Sequence, residues 1–165
     1  MTGRVGDEGA VMAEPVQQLH LDADVGYHAF ALQESDDGEL PVPFPEEYER
    51  GVFLNGFPGR LDFYSGGHTH TAAVTVEVWD GQPPAQDGSA WDEQAETDFE
   101  SISGEVAVWS MSLGRTEEVF ALGSPGSWRV RAYCAGRAEA AALSEGEGVG
   151  EGVERYLVQF WPARP

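Results

Sequence analysis

Two histidines separated by one residue, His68 and His70, form the most suggestive ligand pair in the chain. Residues two apart on a strand point to the same side, so both imidazoles could share a transition metal. A closed site needs further ligands. His70 is the last histidine, and His20 and His28 fall on other expected strands. A small metal- or ligand-binding β-barrel using His68 and His70, with or without enzymatic activity, is therefore the second reading. The first expects an exposed hairpin tip there, with no metal and no cofactor.

Other chemistries find less support. Acid–base catalysis needs two carboxylates in unlike environments. With 29 acidic residues, closeness in sequence does not single out any pair. Asp22 and Asp24 share one strand face and are expected to meet water. Cys134, the single cysteine, falls on the apolar face of its strand, where a buried and inert thiol is expected. Nucleophile-elbow, phosphate-loop and dinucleotide patterns are absent. The chain is read as a non-enzyme.

Charge says more. Against the 29 acids stand nine basic residues, all arginine, for a formal net charge of −20. That field repels nucleic acid and anionic membranes and attracts basic proteins and cations. Between Arg60 and Arg115 there is no arginine, while Asp87, Asp92, Glu93, Glu96, Asp98, Glu100 and Glu105 crowd one segment around Trp91. An acidic surface with an aromatic anchor fits a binder of a basic protein. The expected partner-binding residues are Asp87, Trp91, Asp92, Glu93, Glu96, Asp98 and Glu100. The competing reading is a solvated edge whose acids block aggregation. Arg129 and Arg131 are expected to pair with neighbouring carboxylates across strands.

These residues need elements to hold them. At 165 residues, the chain fits one domain, with Met1–Pro15 a flexible tail and 16–165 the folded unit. Its 21 glycines and 10 prolines favour short strands and turns over long helices. Leu19, Leu21, Ala23 and Val25 alternate with polar residues, and an extended run continues from Tyr27 to Gln33. Leu61 and Phe63, then Ala72, Val74, Val76 and Val78, repeat the period of two. Trp91–Ser101 suits helix or strand, and strand is expected from Glu96. Strands are also expected at Glu105–Met111, through Trp128–Cys134, and at Tyr156–Trp161 before Pro162. Single helical turns are expected at Glu46–Gly51 and Glu139–Leu143, and a mobile acidic loop at Ser144–Gly152. Seven to nine short strands with short connections give an all-β, antiparallel β-sandwich with room for one short helix. The single cysteine and the lack of an apolar leader or span point to the cytoplasm.

Two segments carry a family resemblance. "LHLDADVGYHAFALQ" (Leu19–Gln33) resembles the opening strand of the ComJ-like family, the competence protein J type of nuclease inhibitor. "GSWRVRAYCAGRAEA" and "ERYLVQFWPA" are similar to the strand, acidic loop and Trp-Pro close of its bacterial members. Gly59–Asp80 matches that family's glycine-rich approach to a valine strand. The same approach, with His68 and His70, is similar to the first motif of cupin metalloenzymes, but their glutamate stands closer to the second histidine than Glu77 does here. The ComJ-like resemblance implies a non-enzymatic β-sandwich that binds and blocks a nuclease, as an inhibitor or immunity protein. The segments Asp80–Glu105 and Gly146–Gly152 have no counterpart in it. A third reading is a structural or assembly protein without a ligand.

Overall fold

The computed structural model describes residues 13–35, 52–110, 114–145 and 151–163. The tail to Met12, the proline run, the helical turn expected at Glu46–Gly51 and residues 146–150 of the acidic loop lie outside the described residues.

Among the described residues, ten strands make two five-stranded sheets. In chain order they are β1 (Pro15–Val25), β2 (Ala29–Glu34), β3 (Leu54–Phe57), β4 (Arg60–Tyr64) and β5 (His70–Trp79), then β6 (Glu93–Ser101), β7 (Glu105–Ser110), β8 (Gly114–Ala121), β9 (Gly126–Ala135) and β10 (Glu151–Pro162). One helix, α1 (Arg137–Glu145), follows β9. The first sheet runs β1-β5-β10-β9-β6 and the second β3-β4-β2-β7-β8. The expected sandwich is thus present. The clearest alternation in the sequence became β5, whose residues alternate buried and half-buried along its whole length. Glu93 rather than Glu96 opens β6, and Gly114–Ala121, which sequence reading passed over, is a strand. Its alternation carries only Phe120 into the core, so the signal is weak. One pair, β5 with β10, is parallel, because the last strand inserts between β5 and β9 and must run alongside the former to oppose the latter.

The core lies between the sheets. Leu21, Val74, Val76, Val130, Val158 and Phe160 from one sheet meet Phe30, Leu32, Leu61, Phe63, Val106 and Val108 from the other. Each such burial contributes about 1.5–3 kcal/mol. The edges close in pairs. At one side β1 meets β8, with Gln17 Nε2 donating to the Ala121 carbonyl at 2.6 Å. At the other, β3 packs on β6, with Gly56 against Thr97. The second face of the first sheet points outward, and it carries most of the residues singled out above.

Candidate functional site

The outer face is organised by a rung that crosses all five strands. The register aligns Gln18, Glu77, Gln159, Arg131 and Glu96 side by side. Glu77 accepts from Gln18 Nε2 at 2.9 Å, from Gln159 Nε2 at 3.0 Å and from Trp79 Nε1 at 2.9 Å. Arg131 donates through Nε to Glu96 at 2.8 Å and through Nη1 to the Pro83 carbonyl at 3.1 Å, and it stacks over Trp161. The segment between β5 and β6 crosses this face, since Gln86 N donates to the Tyr133 hydroxyl at 3.1 Å. Arg131 is consequently buried, although its strand face points outward.

The acidic run is therefore not uniformly free. Arg129 bridges Glu96 at 3.0 Å and Asp98 at 2.7 Å, as cross-strand pairing anticipated. Hydrogen bonds from Arg131 and then Arg129 hold the Glu96 carboxyl below its ordinary value. Two carboxylates and two guanidiniums cancel there. Asp87 closes a turn by accepting from Ser89 N and Oγ, which lowers its own pKa. Asp92 accepts from Gly136 N at 3.0 Å and Arg137 N at 3.2 Å, capping α1, where an anion is favoured. Glu100 accepts from Ser127 Oγ. Glu93 is exposed at the start of β6. Trp91 is half-buried: its ring lies 5.4 Å from that of Tyr133, and the Arg155 guanidinium sits over it.

The two histidines are separated by the start of β5. His70 opens the strand and is buried, whereas His68 lies in the preceding loop and is exposed. The imidazole set edge-on to His68 is that of His28, 5.2 Å away, not that of His70, and no group of three or more metal-ligating side chains occurs among the described residues. His28 also stacks on Tyr64 at 5.1 Å, and Tyr27 sits edge-on to His68 at 5.2 Å. Tyr27 and His28 form a tight turn rather than the extended chain expected there, with Gly26 and Ala29 exchanging backbone hydrogen bonds.

His70 enters a buried constellation that sequence reading did not find. Ser65 Oγ donates to Glu154 Oε1 at 2.7 Å and lies 2.7 Å from His70 Nε2. Gly66 N donates to the same carboxylate at 2.8 Å and Gly67 N to Ser65 Oγ at 3.0 Å. With its proton given to Glu154 and its lone pairs occupied, the hydroxyl is tied into the fold instead of being presented to a substrate. Cys134 lies nearby, its thiol pushed up to about 12 by burial and then by Glu154, and so inert as expected. A signal for Glu154 existed: extending the alternation of Tyr156, Val158 and Phe160 back by one step places it on the inward face.

This constellation makes stability depend on pH. Desolvation lowers the His70 pKa from 6.5, with Glu154 opposing it. The unfolded chain then binds a proton near pH 6.5 that the folded chain refuses, so stability falls as pH drops through that value until the lower folded pKa is reached. Urea titrations are expected to show unfolding free energy declining by up to about 1.4 kcal/mol per pH unit below 6.5. His70→Gln should flatten that slope, and an unchanged slope would assign it to another group.

No protein-family model and no curated protein sequence matches the chain. Two solved structures share its fold over nearly its whole length. One is ComJ from Bacillus subtilis, described as an inhibitor of the DNA degrading activity of NucA, with a TM-score of 0.61, 13% identity, and 93% of this chain and 100% of that chain covered. The other is the product of crocagin biosynthetic gene J, with a TM-score of 0.56 and the same identity and coverage. The resemblance seen in the end segments thus holds at the level of fold. Among the described residues, no helix is long and apolar enough to cross a membrane.

Proposed function

We propose that this chain is a stoichiometric, non-enzymatic inhibitor that occludes a basic protein, a nuclease or nuclease-type toxin. The carrying observation is the fold shared over 93% of the chain with ComJ, an inhibitor of the DNA degrading activity of NucA. The charge of −20 supports it, because the surface of an enzyme that binds DNA is positive and is steered toward such a field. The contact surface is the acidic side of the first sheet, along β6 and the turn before it. Carboxylates occupy the places of substrate phosphates. The internal pairings divide the labour among the acids. Glu96, Asp98 and Asp92 set the shape of β6 and α1, while Glu93 and Glu100 project charge from the two ends of the strand.

The test uses the purified protein as bait at low salt, with lysate and culture filtrate of the native organism eluted by a salt gradient. The expected result is one late-eluting basic protein whose DNase activity is titrated to zero at one equivalent of inhibitor. A retained nuclease that stays fully active, or no retained nuclease, refutes the reading. With that nuclease, reversing Glu93 and Glu100 to Lys should slow association by about tenfold at low salt and leave dissociation nearly unchanged. An unaltered association rate would remove β6 from the contact.

A further inference from the structure

We propose that the Tyr27–His28 turn, preceded on β1 by Asp22 and Asp24, is the anchor of the partner contact and receives an arginine or lysine side chain. The proposal rests on the inhibitor reading for its biology, but its chemistry is testable separately.

The backbone points to this turn first. Tyr27 and His28 both have positive φ, 55° and 66°, and among the described residues no other non-glycine residue does. Gly26 N donates to the Ala29 carbonyl at 3.2 Å and Ala29 N to the Gly26 carbonyl at 3.0 Å, closing a two-residue turn. Asn-Gly is the pair such turns favour, because side chains beyond Cβ crowd the left-handed region. Two ring-bearing residues in succession are held there at a cost to the fold, and residues kept in such positions cluster where they serve binding.

The side chains supply the second argument. Tyr27 is 65% exposed and is the one aromatic among the exposed large hydrophobic residues described. Trp91, which charge and spacing nominate instead, is packed between Tyr133 and Arg155. Tyr27 rests on a rigid base. His28 N donates to the His68 carbonyl at 3.0 Å, Ser65 N to the His28 carbonyl at 2.6 Å, and His28 stacks on Tyr64. An aromatic held in place before binding loses little freedom on contact, which is the character of an interface hot spot.

Charge decides the occupant. Asp22 and Asp24 are exposed on the outer face of β1, and neither makes an ion pair among the described residues. Their contacts are a Thr71 hydroxyl donating to Asp24 at 3.3 Å and a weak approach of Asp22 N to Glu118. Glu96 and Asp98 of β6, by contrast, are paired with Arg129 and Arg131. An exposed phenol three residues along the chain from the nearer of two carboxylates that make no ion pair among the described residues offers a receptor for a cation. β1 and β6 are four strand spacings apart, roughly 19 Å, so one partner can span both.

The experiment uses a nonaarginine peptide as the cation probe, followed by backbone amide shifts. Shifts are expected to centre on Asp22, Asp24 and Tyr27, with binding about two- to fivefold weaker in Tyr27→Ala and retained in Tyr27→Phe. Shifts confined to Glu93–Glu100, or equal binding by Tyr27→Ala, would overturn the assignment. A second variant, Tyr27→Gly, which relieves the positive φ and keeps the His28 stack on Tyr64, should raise the thermal midpoint while weakening peptide binding. A midpoint that does not rise refutes the strain on which the argument depends. Failure to capture a nuclease would defeat the inhibitor reading alone, because the peptide measurement does not use the nuclease.

Discussion

Glu34→Ala is expected to lower unfolding free energy by about 3–5 kcal/mol, seen as an early midpoint in urea. Glu34 ends β2 and is fully buried. Its Oε1 accepts from Ile102 N at 3.1 Å, Ser103 N at 2.8 Å and Ser103 Oγ at 2.8 Å, and its Oε2 from Ser101 Oγ at 2.7 Å. The carboxylate thereby holds the turn that carries the chain from β6, in the first sheet, to β7, in the second. Truncation leaves four donors without this acceptor, and three of the bonds converge on one oxygen. That arrangement predicts a graded series. Glu34→Gln keeps one carbonyl oxygen for the turn and should cost less than half as much. Equal losses in the two variants would show that packing, not charge-assisted hydrogen bonding, fixes this turn. Because the turn sets where β6 ends, Glu34→Ala should also loosen the edge assigned to partner contact.

Gly136→Ala is the second large effect, expected at about 3–4 kcal/mol. Gly136 joins β9 to α1 with φ of +84°. A side chain in the left-handed region costs about 1–2 kcal/mol. A Cβ at this position would also be driven into the carbonyl oxygen of Val153, a backbone atom of β10 that cannot swing aside as a flexible side chain would. Overpacking of this kind adds about 1–3 kcal/mol. The relaxation available is to move α1, and that movement breaks further contacts. Asp92 would lose its bonds from Gly136 N and Arg137 N, and Arg137 would lose its 2.9 Å bond to the Tyr64 carbonyl. Thermal unfolding should report the loss. Amide exchange should show it concentrated in α1 and at the start of β6. A stability change below about 1 kcal/mol would mean that the β9–α1 junction yields more easily than its geometry implies.

Both effects bear on the surface assigned to binding, and neither residue carried a signal in composition or motif. Asp92 illustrates the difficulty. In sequence it is one acid in an acidic run, and in space it caps a helix that begins 45 residues later. The same holds for Glu96 and Asp98, which spend much of their charge on arginines more than thirty residues away. A run of carboxylates therefore reports the sign of the surface without saying which members are available to a partner.

What the sequence determined by itself was whatever depends on neighbours along the chain. Alternation of apolar and polar residues at a period of two specified β1, β5 and β9, hence a sandwich, because a strand's side chains must alternate faces whatever it pairs with. The same alternation put Cys134 inside and aimed Arg129 and Arg131 at the outer face. Tertiary structure decided everything that depends on which strand lies beside which. Pairing β5 with β10 brought Glu77 to Gln159, and pairing β9 with β6 brought Arg131 to Glu96, completing a rung that no local pattern contains. Folding also separated His68 from His70, gathered Ser65 and Glu154 across 89 residues, covered Trp91 and left Tyr27 exposed. The physical reason is common to all of these: side-chain direction is set by local backbone geometry, whereas burial and pairing are set by register between segments distant in the chain.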